Sequence, residues 1–580
     1  MADAKASPTS PRPQGRLFDA RLLALLALAI LSWLPRHAGP IDLRWDGAVY
    51  YVLGTSLAEG RGYKLLNEPG EIDADQYPPL LPAVVAAHQM ALGTDDPQVV
   101  GRWLRLTFFV VFCLFIGATY VLLRAHLSAN DALVGSLLCL FLIHTHLLSD
   151  FCFPEIPFGL LTILFVVCHE RMQRKLRAGI TSALGVVAFA LRTVGVALLA
   201  AWTAESLVKR RYRDALFRAA VTLLALLGWQ AYVSSVESSQ AYRRPAYEYQ
   251  RADYMFYNVS YARNIRLLDP FIPEKGYLSL VTAVRRVGHN VLRMPGAVGE
   301  STSTVQGYWF ERVKQLTLGR IPGRAVGWLA SLLPVCIGLL TFTGVALLLA
   351  RRQLLIPLYI LLYLAVLCLT PWPAQFPRYL TPLAPFLALS FVTCLRAFKD
   401  RFDASASRRT RALGAALVAG VLAVIFAQQL LSLARIYTAE HQRVAYDSGG
   451  RTVSYRLFFY RDSYQALDEA LDWLKPRAKP EDVVANSMPH WTYLRTGLRA
   501  VMPPFEADPA EAQRLIDTVP VEYLILERGQ AFDTEPFILP VVQSFPDLWR
   551  EVYAEPEGRL VIYQRVGARP AARRAPAARP

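Results

Sequence analysis

Blocks of apolar residues long enough to cross hydrocarbon recur along this chain, and nothing else limits its fold so tightly. A helix needs roughly 20 residues to span a bilayer, and within lipid it satisfies its own backbone hydrogen bonds. About eleven segments are predicted, at 17–34, 102–124, 131–149, 156–170, 179–191, 195–207, 214–234, 324–350, 353–370, 379–397 and 411–435. The fifth and sixth are too short to cross upright, so they read as a helical hairpin with Arg192 at its turn. The fold class that follows is a polytopic α-helical membrane protein.

Basic residues set the orientation. Arg12, Arg16 and Arg21 flank the start of the first segment. Arg171, Arg174, Lys175 and Arg177 follow the fourth, and Lys209, Arg210, Arg211 and Arg213 the sixth. Arg351 and Arg352 follow the eighth, and Lys399, Arg401, Arg408, Arg409 and Arg411 the tenth. An odd count of crossings puts all five clusters on one side, read as the cytoplasm. Topology thus explains much of the formal charge of +16. Since no zinc-finger, helix-turn-helix or RNP-like pattern is present, nucleic acid is not an expected partner.

The resulting plan has a cytoplasmic tail (1–16), a transmembrane part (17–435) with outer loops 35–101 and 235–323, an extracytoplasmic unit (436–567) and a disordered basic tail (568–580). The block at 17–34 lacks a clean small-residue cleavage site and reads as an uncleaved anchor. The seven cysteines, Cys113, Cys139, Cys152, Cys168, Cys336, Cys368 and Cys394, contain no CxxC pair and nearly all fall in apolar blocks. Neither a disulfide framework nor a thiolate metal site is expected.

Inside the first loop, residues 46–60 place Val49, Val52, Leu53 and Leu57 on one helical face before Gly60 and Gly62, which predicts a helix lying along the membrane surface. Residues 79–92 predict a second. The C-terminal unit reads as small α/β sequence, with helices at 463–475 and 509–518 and strands at 482–486, 521–526 and 559–565.

Four places bear residues suited to chemistry. Asp46 opens the first surface helix, where the plain structural role is an N-cap. Glu155 begins the fourth segment on the outer side, a position the helix dipole also favours, and Asp150 lies one short loop away. Arg192 interrupts AFALRTVGVALL; a guanidinium there either snorkels or holds an anion. Arg378 and Tyr379 open the tenth segment on the outer side, as an interfacial pair commonly does. His88, His144 and His146 are scattered, and no P-loop, GxGxxG, HExxH or GxSxG element stands in a suitable context. Asn258-Val259-Ser260 is a glycosylation sequon by letter only.

Taken in order, DGAVYYVLGTSLAEGRGY, QYPPLLP, SDFCFPEIPFGLL, LRTVGVALL and RYLTPLAPFLAL resemble the GT-C superfamily of polyprenyl-phosphate-sugar-dependent glycosyltransferases. The similarity is greatest to the protein mannosyltransferase and aminoarabinose transferase branch, over about residues 17–435. It implies sugar transfer from a lipid phosphate at the outer face, with Asp46 as general base and Glu155 helping to hold the acceptor or a divalent cation. Arg192 and Arg378 would neutralise the departing phosphate, and Tyr379 would support Arg378. Asp150, Tyr50 and Tyr77 are further candidates for the acceptor or a metal. Metal use varies in the superfamily, so no metal is assigned.

The pattern departs from relatives that carry an acidic pair after the first helix, because Gly47 follows Asp46. It departs again at Glu155, where many members have Asp. The implied partners are a polyprenyl-phosphate-linked sugar, a lipid, glycan or protein acceptor, and the bilayer. The Ala, Arg and Leu richness suggests a bacterial inner membrane. The competing class is a transporter or flippase of a lipid-linked or anionic substrate, which would place charges near the midplane and often shows repeated halves. Here the acids sit at outer helix ends and no repeat is visible.

Overall fold

The computed structural model describes residues 19–448, 451–528 and 534–567; the expected tails at 1–16 and 568–580 lie outside them. The chain is a polytopic helical membrane protein with a smaller α/β unit at its C-terminal end. Among the described residues, five helices are long and apolar enough to cross a membrane: Pro97–His126, Tyr212–Ser238, Gly323–Ala350, Pro373–Asp403 and Arg408–Thr438. Shorter apolar helices stand between them.

The helices run in chain order as α1 (Ala20–Trp33), α2 (Asp46–Ala58), α3 (Leu80–Leu92), α4 (Pro97–His126), α5 (Ala129–Leu140), α6 (Ile143–Leu148) and α7 (Glu155–Arg171). Next come α8 (Arg174–Leu191), α9 (Val196–Val208), α10 (Tyr212–Ser238), α11 (Gln240–Arg243), α12 (Tyr261–Asn264), α13 (Leu280–Glu300) and α14 (Gln306–Leu316). The bundle closes with α15 (Gly323–Ala350), α16 (Leu355–Leu367), α17 (Phe376–Leu380), α18 (Ala384–Asp403) and α19 (Arg408–Thr438). Each predicted apolar segment contains one of these helices. The third breaks into α5 and α6 because the Leu140 carbonyl, which a continuing helix would use, accepts instead from the His146 ring at 2.8 Å. As expected, α8 and α9 form a hairpin, with Arg192 and a 3-10 turn between them.

Two ends of the bundle differ in chemistry. At one end Arg21 donates to Asn130 at 3.0 Å, Tyr120 to Asp19 at 2.8 Å, and Arg396 pairs with Asp131. At the other end the long loops gather under the C-terminal unit. Helix packing between is tight at particular glycines: a Cβ on Gly344 of α15 would meet the Ser390 carbonyl of α18 at 1.8 Å. Small residues at such crossings are how helices approach closely in lipid.

The expected surface helix at 46–60 forms, as α2, but it does not lie open on the membrane. Every residue from Gly47 to Ser56 is buried. A Cβ on Gly54 would stand 2.7 Å from Val85 of α3, and the C-terminal unit closes the opposite side.

In that unit a ribbon of β3 (His441–Ser448) and β4 (Arg451–Phe458) leads into α20 (Asp462–Leu474); the short pair β1 (Lys64–Leu65) and β2 (Ile72–Asp73) belongs to the first loop. A five-stranded mixed sheet follows, made of β5 (Val483–Ala485), β6 (Arg499–Val501), β7 (Val521–Glu527), β8 (Trp549–Ala554) and β9 (Leu560–Arg565) in the order β6-β5-β7-β9-β8. Strand β5 is parallel to β6 and β7, and β9 is antiparallel to β7 and β8. Helices α21 (Pro489–Thr496), α22 (Pro509–Ile516) and α23 (Glu535–Ser544) complete it. The unit docks by main-chain pairing: the Ala500 amide donates to Asn67 at 2.9 Å, and Asn67 Nδ2 donates back at 3.1 Å.

Candidate active site

The segment before α2 is fixed by pairing with the loop that precedes α7. The Asp42 amide donates to Asp150 at 3.0 Å, and the Cys152 amide donates to Asp42 at 2.9 Å. Two chain entries into helices are thereby clamped side by side, and Asp46 and Glu155 become neighbours through their common partner. Asp46 is the first residue of α2, yet it is not its cap. Trp45 precedes it with φ 56, and the carboxylate turns to side chains instead. It accepts from Tyr77 Oη at 3.1 Å, from Tyr257 Oη at 3.4 Å and from Arg378 Nη2 at 2.6 Å.

Arg378 reaches Glu155 with its other edge, Nε donating to Oε1 at 2.7 Å. The same carboxylate oxygen also takes Nη1 of Arg192. Glu155 is fully buried, and its second oxygen finds no hydrogen-bond partner among the described residues. Two carboxylates and two guanidiniums thus form one network, as buried ions require. Aromatic faces support both cations. The Arg378 guanidinium stands 4.1 Å from the centre of the Phe153 ring and Arg192 5.5 Å from that of Tyr379. Tyr379, expected to support Arg378, stands against both cations, its ring centre 5.8 Å from Arg378 as well.

Asp46, Arg192 and Arg378 line a cavity of about 930 Å³. Its walls change character along α10, from Leu223, Leu226 and Leu227 to Gln230 and Glu237. Val366, Leu367 and Leu369 extend the apolar side, while Asp75, Gln76 and Arg263 belong to the polar side. Such a space can take a molecule that is part hydrocarbon and part polar, with an anionic group at the arginines.

Of the remaining expected residues, Tyr50 and Tyr77 line this cavity, with rings edge to face at 4.9 Å. Asp150 does not join them: it is buried against Arg105, 3.2 Å away, an ion pair that ties the second loop to α4. His146 is likewise structural, held between the Leu140 carbonyl and Tyr437 Oη. The sequon residue Asn258 is buried, with Nδ2 donating to Gln250 O at 3.1 Å.

The sequence reading passed over Tyr257, Phe153 and Asp75. The run YMFYNVSY at 254–261 was the available signal, because an outer loop so rich in aromatics is built to cover something. Asp75 lies in the first loop with both oxygens lacking a hydrogen-bond partner among the described residues; burial pushes its carboxyl up to about 7, against the pull of Arg251 3.9 Å away.

A divalent cation does not fit this centre. Of the acids suggested for it, Glu155 is held by Arg192 and Arg378 and Asp150 by Arg105, while Asp46 is held by Arg378. Among the described residues no three His, Cys, Asp or Glu side chains group as a metal site.

No protein-family model matches the chain, and no curated protein matches it significantly. Solved structures similar to it include the oligosaccharyltransferase AglB of Archaeoglobus fulgidus, in complex with an inhibitory peptide and a dolichol-phosphate. There the identity is 14%, the TM-score 0.49, and the match covers 94% of this chain and 74% of that one. ArnT of Cupriavidus metallidurans, bound to undecaprenyl phosphate, is similar at 11% identity and a TM-score of 0.47, over 94% of this chain and 98% of that one. At this level of similarity the likeness is one of fold.

Proposed function

We propose that this chain is a membrane glycosyltransferase that moves a sugar, a hexose or a pentose, from a polyprenyl-phosphate carrier to an acceptor hydroxyl. The observation that carries the reading is the bridging of Asp46 and Glu155 by Arg378 at the wall of a cavity that is apolar on one side and polar on the other. A lipid phosphate supplies the two parts such a space calls for. The hydrocarbon lies along α10 and α16, and the phosphate meets Arg192 and Arg378.

In the reaction the acceptor O–H gives its proton to the Asp46 carboxylate, and the oxygen bonds to the anomeric carbon. The bond from that carbon to the phosphate oxygen breaks, and its electron pair stays on the phosphate. Tyr77 and Tyr257 orient Asp46, and charge developing on the leaving group falls to the two arginines. Glu155 touches no reacting atom in this scheme; it fixes the spacing of the arginines. The acceptor, whether lipid, glycan or protein, enters from the polar side, where Tyr50 and Tyr77 stand. The end bearing the loops and the C-terminal unit (436–567) faces away from the cytoplasm of a bacterial inner membrane, with the transmembrane part at 17–435, as the basic clusters on the opposite end favour.

A transporter needs a route onward from the site. Beneath the ion network, buried Phe158, Tyr359 and Tyr363 fill the bundle, which favours the enzyme. The test is turnover of a panel of radiolabelled polyprenyl-phosphate sugars by membranes carrying the wild type or Asp46→Asn. The substitution is expected to lower transfer by about 10²–10⁴-fold, the usual contribution of a general base. Equal transfer by the two proteins would remove Asp46 from the chemistry.

A further inference from the structure

Asp46 is held from the C-terminal unit by two separate arms. The first passes through the residues just before it. Trp45 has φ 56 and ψ −128, a conformation that a bulky residue adopts only when its surroundings impose it. Its indole Nε1 donates to Tyr464 Oη on α20 at 3.1 Å. Arg44 is buried and donates to two carbonyls at the end of β4, Phe458 at 2.6 Å and Phe459 at 3.0 Å. Its Nε also holds both oxygens of Asp42 at 3.1 Å. The guanidinium sits 4.7 Å from the centre of the Tyr464 ring and 5.0 Å from that of Trp45. Since Asp42 is paired in turn with the 150–152 loop, this clamp joins three segments that lie far apart in the chain.

The second arm comes from α21. The His490 ring meets the Tyr257 ring edge to face at 4.9 Å, and Tyr257 Oη points at Asp46. Both arms start from elements outside the helical bundle; the first ends on the residues just before Asp46 and the second on its carboxylate. By contrast, Arg192 and Arg378 are carried by the α8–α9 turn and by α17.

We propose that the C-terminal unit is a positioning element for Asp46, with Arg44, Trp45, Tyr464 and His490 as positioning residues that keep the chain in the turned conformation at Trp45 and aim the carboxylate into the cavity. This rests on Asp46 acting as the base. A unit that only covered the bundle would not need to grip the residue next to Asp46, nor to hold it in a conformation that costs backbone energy.

The experiment uses the full chain in lipid nanodiscs, with turnover measured beside the affinity of undecaprenyl phosphate as a donor-site probe. Arg44→Lys keeps the charge for Asp42 but loses the fork that spans both carbonyls. It is expected to lower kcat about 100-fold, the penalty for displacing a catalytic group by around 1 Å. Tyr464→Phe should lower kcat about 10-fold, a single weaker tether of the same kind. Probe affinity should stay within about two-fold for both, since neither residue touches the arginines that meet the phosphate. At position 45 itself, Trp45→Gly should retain more turnover than Trp45→Ala, because glycine adopts positive φ without strain. A packing role alone predicts the reverse order. Wild-type turnover in Arg44→Lys and Tyr464→Phe beside a dead Asp46→Asn would overturn this inference alone. Loss of probe binding in step with kcat, or Ala matching Gly at position 45, would also overturn it. An active Asp46→Asn would instead defeat the catalytic reading on which it rests.

Discussion

The guanidinium of Arg378 stands 2.6 Å from the carboxylate of Asp46, although 332 positions separate the two residues in the chain. The same group holds Glu155 with its Nε. Only a planar fork of donors can serve two carboxylates from two edges at once. Arg378→Lys is therefore expected to lower kcat by about 10²-fold, through a displaced Asp46 as well as a weaker phosphate contact. Arg192→Lys leaves Asp46 in place and should act mainly through weaker donor binding. Steady-state kinetics with the productive donor check both, and equal effects of the two substitutions on kcat and KM would contradict the shared role of Arg378.

Pairing of both acids with arginine also fixes the response to metal removal. Transfer should proceed unchanged in EDTA, and added Mg²⁺ or Mn²⁺ should not raise it. A loss of transfer on chelation, restored by one divalent ion, would mean that the network opens to admit a cation during turnover.

Asp75 gives a dependence on pH. Burial raises its carboxyl from an ordinary 3.8 to about 7, so between those values the folded protein holds a proton that the unfolded chain has released. Stability from this group is accordingly intact below about pH 3.8, falls as pH rises towards 7, and remains reduced above it. Asp75→Asn removes the cost of the buried charge. It should raise the Tm by about 2 °C or more at pH 8 and by less at pH 5. Scanning fluorimetry at the two pH values checks the difference. His490 works the other way: burial lowers it to about 3, so acidification below 6.5 loosens the unit that carries it.

Helix contact supplies a prediction independent of the chemistry. Gly344→Ala places a methyl 1.8 Å from the Ser390 carbonyl and should destabilise by about 1–3 kcal/mol, as overpacking does. Gly420→Ala on α19 meets open space and should be neutral or slightly stabilising, since alanine favours helix. Tm values of the pair in one detergent decide it.

Much of the fold was legible because hydrocarbon leaves a chain few choices. Every predicted apolar segment contains a helix, and Arg192 stands at the turn of the predicted hairpin. Arg192 was legible as a charge that an apolar context makes expensive, and Asp46, Glu155 and Arg378 as charges at outer helix starts within the motifs that resemble one superfamily. Their pairing was not, because contacts between positions 46, 155, 192 and 378 depend on how helices cross, which no local pattern records. Asp150 shows the limit: it has the same charge and loop as Glu155, but Arg105 on α4 claims it. The amphipathic stretch at 46–60 marked a helix correctly but gave no sign that the C-terminal unit would bury its other face. In that unit α20, α22 and three strands follow from their periodicity. The ribbon at 441–458 does not, since its pairing partners supply the order that its polar residues lack.

The clamp on Trp45 has a consequence for how such a protein comes into being. Asp46 leaves the ribosome more than 400 residues ahead of Phe458, Tyr464 and His490. At roughly 5–20 residues per second the delay is on the order of half a minute. Through that interval the bundle can enter the bilayer before Arg44 and Trp45 have met their partners on the ribbon and on α20. Closure of the clamp on Trp45 thus waits on the synthesis of residues 458–490.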